Sequence, residues 1–208
     1  MPEAVAPRPA STILLLRDGA GAEIEVFMMV RHYEIDFNSG ALVFPGGSVD
    51  KGDQDIIASP ELYSGGEGLD TASLSFRIAA IRETFEESGI LLARPRESKA
   101  LVDARRASAI EAAHRTALCE GKTTFLNVLT DSGIVLALDE LVPYAHWITP
   151  EGLPKRFDTW SFLPPPRRSR SAPTTARNPP IRSGCRRARR SKAAGAGGSS
   201  CRFRPRAT

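Results

Sequence analysis

The apolar residues of this chain fall into helical and strand rhythms that separate cleanly along its length. From Leu74 they recur at spacings of four, three and four, at Ile78, Ile81 and Phe85, which predicts one buried helical stripe. Asp70 or Ser73 is the expected cap at its start, and Gly89 stands where a left-handed residue would end it. Residues 102–118 carry a second helical pattern that stops by Gly121, and 125–130 a short third one. Upstream, 11–17 and 24–33 read as strands on either side of the turn cluster Asp18-Gly19-Ala20-Gly21, a hairpin pattern. Residues 41–44 form a short apolar strand that runs into Pro45-Gly46-Gly47, read as a backbone turn. Residues 48–70 are polar and Gly-rich without a period and read as a long loop, a length usually tied to function or disorder. Two further strands are expected at 144–148 and 156–163, and no internal repeat is visible.

Charge divides the chain where periodicity ends. The net charge is +4, yet residues 164–208 hold twelve Arg, one Lys and no acid, for +13, which leaves −9 on 1–163. This tail opens on Pro164-Pro165-Pro166, and its only bulky apolar residues are Ile181 and Phe203, so disorder is predicted. At the other end, 1–10 has three prolines and no apolar core of a signal peptide, and is expected to be flexible. Between them, 11–163 reads as one domain. No apolar run reaches membrane-spanning length. Cys119, Cys185 and Cys201 show neither metal-ligand spacing nor a disulfide framework, so a reducing cytoplasm is the expected compartment.

The sharpest chemical feature is Arg82-Glu83-Thr84-Phe85-Glu86-Glu87-Ser88-Gly89-Ile90. Glu83 precedes Glu86 by three and Glu87 by four, so all three carboxylates fall on one helix face. Like charges so placed repel by roughly 0.2–0.5 kcal/mol per pair. A solvated surface helix would interleave Lys or Arg instead. A hard divalent cation removes the repulsion, and carboxylate oxygen is its preferred ligand. Phe44-Pro45-Gly46-Gly47 adds a backbone without side chains that can offer a carbonyl to a metal or approach a phosphate closely.

These residues resemble the Nudix box, G-x5-E-x7-R-E-U-x-E-E-x-G-U with U bulky and apolar, through Gly47, Arg82, Glu83, Glu86, Glu87, Gly89 and Ile90. Thirty-four residues separate Gly47 from Arg82, where the uninterrupted box has thirteen; Asp53 stands at the place of the first box Glu, and Thr84 at that of an apolar residue. The insertion, placed within 48–73, is similar to that of the Nudix branch that holds the peroxisomal coenzyme A diphosphatase and its bacterial relatives. The matching segments are Ser39 to Gly47, Ala79 to Glu87, His146-Trp147-Ile148-Thr149-Pro150-Glu151-Gly152 and Arg156-Phe157-Asp158-Thr159.

The resemblance implies an α/β/α sandwich with a mixed sheet, incomplete at its C-terminal end. It implies Mg²⁺ or Mn²⁺ held by Glu83, Glu86 and Glu87 with the Gly46 carbonyl, and Arg82 orienting the glutamates. It also implies hydrolysis of a small-molecule nucleoside-diphosphate-linked substrate, coenzyme A compounds first, near Gly47, with Arg156 and Phe157 clamping a phosphate and a ring. Glu140 is weighed as a late ligand or base and set below the box glutamates. Trp147 and Trp160 are read as packing residues, His32, His114 and His146 as structural or exposed, and Cys119 as a small buried residue. The alternatives are a non-catalytic Nudix-like module, and binding of nucleic acid through the basic tail. For the tail itself, a tether, a bland extension and a reading-frame artefact compete; the artefact is favoured, because Arg, Pro, Ala, Gly and Ser are what GC-rich DNA encodes out of frame. A homodimer is left open, and no membrane partner is expected.

Overall fold

The computed structural model describes residues 5–19, 24–30 and 41–165. The predicted disordered tail from residue 166, His32, Cys185, Cys201, Ala20 and Gly21 of the expected turn cluster, residues 31–33 of the expected second strand, and Ser39 and Gly40 lie outside the described residues.

The first predicted strand is two. β1 (Arg8–Ile13) enters the main sheet, and β2 (Leu16–Asp18) turns away to pair antiparallel with β3 (Ile24–Val26), the expected hairpin. β1 begins inside the segment read as a flexible terminus: Arg8, Pro9 and Ala10 are opposite Phe157, Asp158 and Thr159 of the last strand, so pairing far along the chain orders them. β4 (Met29–Val30) pairs with β5 (Leu42–Val43). Gly46 and Gly47 do not turn; they extend as β6 (Gly46–Ser48), antiparallel to β1.

The expected loop at 48–70 is largely folded. It holds α1 (Lys51–Ile57), a 3₁₀ turn (Pro60–Leu62) and β7 (Tyr63–Ser64). Polarity hid α1, because its capping box, Asp50 with Asp53, is acidic, and only Ile56 and the following Leu62 reach the core. α2 (Thr71–Ser88) starts on the cap Asp70, whose carboxylate accepts from the Ser73 amide, and ends on Gly89 at φ 74°. Its stripe of Leu74, Ile78, Ile81 and Phe85 is buried as expected, with Ala79 and Ala80 also fully covered. Each large side chain so buried contributes roughly 1.5–3 kcal/mol.

After α2 come β8 (Ala93–Pro95), α3 (Ala104–Cys119), α4 (Phe125–Ser132) and β9 (Ile134–Ala137). β7, β9 and β8 make a small three-stranded sheet in that order. β10 (Val142–Ile148) and β11 (Phe157–Leu163) close the main sheet, whose order is β10-β11-β1-β6, with β1 and β11 parallel and the other pairs antiparallel. The architecture is therefore α/β with mixed sheets. α2 lies against the main sheet, tied to it where the Ser11 hydroxyl donates to the Phe76 carbonyl at 2.7 Å. Phe76 meets Trp160, and the Arg77 guanidinium sits over the Phe162 ring. β10 is exposed at every position, with Trp147 70% and Tyr144 64% accessible. Trp147 is thus no packing residue, whereas Trp160 is partly buried between Phe76 and a stacked His146.

Candidate active site

Register brings the two halves of the motif together. Gly47 lies opposite Ser11 on β1, and Ser11 is bonded to α2, so β6 is carried across the face of the helix. A Cβ on Gly47 would stand 2.4 Å from the Glu83 carboxyl carbon; the absence of a side chain is what lets this carboxylate lie against the strand. The Gly46 amide donates to Glu87 Oε2 at 2.9 Å. Gly46 itself is pressed on β1, where a Cβ would come within 2.2 Å of the Ser11 carbonyl oxygen.

Behind the glutamates lies Arg82, only 2% exposed. Its Nε donates to Asp53 Oδ1 at 2.8 Å and its Nη2 to Asp53 Oδ2 at 3.1 Å, a two-pronged pair with a fully buried acid. Nη1 reaches Glu83 at 2.9 Å and Glu86 at 3.4 Å, and Nη2 also bonds the Ser48 carbonyl at 2.9 Å. Burial alone would push the Arg82 pKa down. The hydrogen bond and charge of Asp53, joined by Glu83 and Glu86, outweigh burial and hold it above the ordinary guanidinium value. Arg82 is thus a permanent cation that turns two of the three carboxylates toward itself.

Asp53 was legible only as a residue at the place of a box acid. Its role comes from α1: as the third helical residue it accepts from the Asp50 amide at 2.7 Å, which fixes the carboxylate that grips Arg82. The signal in sequence was the pair Asp50-x-x-Asp53, a capping box in acidic form.

Among the described residues, no three His, Cys, Asp or Glu side chains are disposed as a closed cage. Glu83 and Glu86 face Arg82, and Glu87 faces the Gly46 amide. The donor set nevertheless suits Mg²⁺ or Mn²⁺: it is all carboxylate oxygen, it lies on one helix face, and Glu83 fits closely against the glycines of β6.

The other expected residues lie apart. Arg156 donates from Nε to the Thr149 carbonyl and from Nη1 to the Val5 carbonyl, and Phe157 is opposite Arg8, three positions along β1 from the residue that faces Gly47. Glu140 is held by Arg94, together with Asp139, in a cluster beside the small sheet that also takes in Ser64. His146 pairs with Asp158. Cys119 is half-buried, with its sulphur 3.7 Å from the Glu86 carbonyl.

A family model described as the NUDT19 Nudix domain matches residues 60–176. The putative nudix hydrolase 7 of Caenorhabditis elegans is 31% identical over 142 residues, 66% of this chain and 38% of that protein. The acyl-coenzyme A diphosphatase NUDT19 of Homo sapiens is 34% identical over 105 residues, 45% of this chain and 28% of that protein. Its Gallus gallus counterpart is 28% identical over 205 residues, 75% of this chain and 54% of that protein. A crystal structure of a NUDIX hydrolase from Alicyclobacillus acidocaldarius superposes with a TM-score of 0.58 at 28% identity, covering 76% of this chain and 69% of that one. The chain spans between 28% and 54% of the length of these curated relatives.

Proposed function

The chain belongs to the Nudix hydrolases, in the group of the NUDT19 Nudix domain, and from that membership we propose that it hydrolyses the diphosphate of a nucleoside-diphosphate-linked compound with the help of Mg²⁺ or Mn²⁺. Coenzyme A and its acyl derivatives are the first substrates of the proposal, because two of the similar proteins bear the name acyl-coenzyme A diphosphatase. The observation that carries the reading is the face of α2 where Glu83, Glu86 and Glu87 border the glycines of β6, with Arg82 fixed behind them.

In this proposal Glu83, Glu86 and Glu87 are the metal ligands, with the Gly46 carbonyl as a further one. Held by these carboxylates, such a cation would supply the positive charge that phosphoryl transfer to water calls for. Arg82 sets the rotamers of Glu83 and Glu86 and keeps their separation fixed. Glu83, beside Gly47, accepts the proton of the attacking water; the P–O bond of the bridge breaks, and a nucleotide monophosphate and a phosphorylated remainder leave. Gly47 gives the diphosphate access to backbone. Arg156 and Phe157 serve recognition only, since the Arg156 guanidinium holds the Thr149 and Val5 carbonyls and acts through the shape of that loop.

The test is formation of the two phosphomonoester products, separated chromatographically, from coenzyme A, acyl-coenzyme A, NADH, sugar nucleotides and dinucleoside polyphosphates, each with Mg²⁺ and with Mn²⁺, beside Glu86→Gln. Turnover is expected to fall at least about a hundredfold in the variant, as for loss of a key electrostatic group. Near-normal turnover there removes Glu86 from the site.

A further inference from the structure

Two of the proposed ligands, Glu86 and Glu87, lie in the last turn of α2, where a helix has used up its own donors. Of the final carbonyls, that of Phe85 is taken by the Gly89 amide. Those of Glu86 and Glu87 are met from another helix. Arg115 of α3 donates from Nε to the Glu86 carbonyl at 2.9 Å and from Nη2 to the Glu87 carbonyl at 2.7 Å. Its third nitrogen, Nη1, is braced by Glu111 at 3.0 Å, one turn earlier on α3. The Glu111 carboxylate in turn lies over Gly89, where a Cβ would come within 2.4 Å of it. The Arg115 side chain is only 14% exposed, so this contact is largely withdrawn from water.

We propose that Arg115, braced by Glu111, is a positioning residue for the metal face: its guanidinium spans the consecutive carbonyls of Glu86 and Glu87 and thereby sets where their carboxylates stand. The inference rests on the reading of those glutamates as ligands. Geometry singles out Arg over Lys, since a planar fork bonds two neighbouring carbonyls at once while an ammonium is a point donor. The cation placed at the C-terminal end of α2 also opposes the negative pole of the helix, which keeps the last turn wound. Arg82 fixes the carboxylates of Glu83 and Glu86; Arg115 fixes the backbone of Glu86 and Glu87.

The experiment is Mn²⁺ binding by calorimetry on the full chain for the wild type, Arg115→Ala, Arg115→Lys and Glu111→Gln, with hydrogen exchange of the amides at 88–90 and urea unfolding measured without metal. Loss of a partner that orients ligands lowers metal affinity about 10–100-fold. Arg115→Ala is expected to raise the Mn²⁺ dissociation constant at least about tenfold and to speed exchange at 88–90, with Lys intermediate and Glu111→Gln weakened by less. Added guanidinium at low millimolar concentration is expected to recover part of the affinity of Arg115→Ala. Wild-type affinity in Arg115→Ala overturns the proposal. So does an affinity loss that only tracks global unfolding, with Lys no better than Ala. If Arg115→Ala does not fold, Glu111→Gln decides: unchanged Mn²⁺ affinity and unchanged exchange there overturn it. A wild-type chain that binds Mn²⁺ and cleaves no diphosphate overturns the functional reading and leaves this measurement intact. One that binds no Mn²⁺ overturns both.

Discussion

Arg82 and Asp53 form the contact on which the geometry of the glutamates turns. Both are buried, and each satisfies the other through two parallel hydrogen bonds. Removing one partner of such a pair leaves a charge in low dielectric, which typically costs 3–5 kcal/mol. Asp53→Asn is therefore expected to lower stability by about 3 kcal/mol, read by urea unfolding, since Asn keeps the shape and loses the charge. A loss below about 0.5 kcal/mol would mean that Glu83 and Glu86 alone suffice for Arg82. The glutamate face was legible in sequence because helical spacing converts directly into a shared face. The Asp53 contact was less so, because twenty-eight residues separate it from Arg82 and nothing local states which acid folds back.

At the scale of elements, α2, α3 and α4 were readable because their apolar residues recur at helical period, with Asp70 as an expected cap for α2; the structure adds the caps Asp103 and Thr124 for the other two. The three strands of the small sheet were not. β7, β8 and β9 are two, three and four residues long, too short for alternation to register. Their connection is electrostatic as well as apolar. Arg94 of β8, mostly buried, is bonded to Ser64 of β7 and to Asp139 and Glu140 in the turn after β9. The hydrogen bond from Arg94 holds the Asp139 carboxyl below its ordinary pKa of 3.8. A depressed folded-state value means that the contact stabilises fully above the unfolded value and fades as pH falls through the folded one. Asp139→Asn is expected to lower the Tm at pH 7 by about 1–4 °C, the range for roughly 0.5–1 kcal/mol in a chain of this size, since the Asp139 side chain is 47% exposed and water screens the pair. The gap between variant and wild type should close as pH drops below about 3.8. A gap that stayed constant into strong acid would contradict the ion pair as its source.

For the whole molecule, a bound cation and the fold support each other. A ligand held only by the folded state stabilises by about 2.7 kcal/mol at one hundred times its dissociation constant. Saturating Mn²⁺ is thus expected to raise the Tm by about 5–10 °C, and Glu86→Gln to lose most of the rise; equal shifts in both would place the ion elsewhere. No helix among the described residues is long and apolar enough to cross a membrane. The order of the main sheet was hidden from sequence because β1 pairs with β11, its partners far apart along the chain, and such pairing leaves no local trace. The same holds for the segment between β6 and α2. Its interruption of the motif was plain, but it folds as α1, a 3₁₀ turn and β7, places Ile56 and Leu62 in the interior, and carries the acid that anchors Arg82. Trimming it back toward the compact spelling would open two holes in the interior and strand a cation in the same stroke. The long version of the motif is therefore not the short one with slack added: shortening it calls for matched changes at Arg82 and around the sites of Ile56 and Leu62.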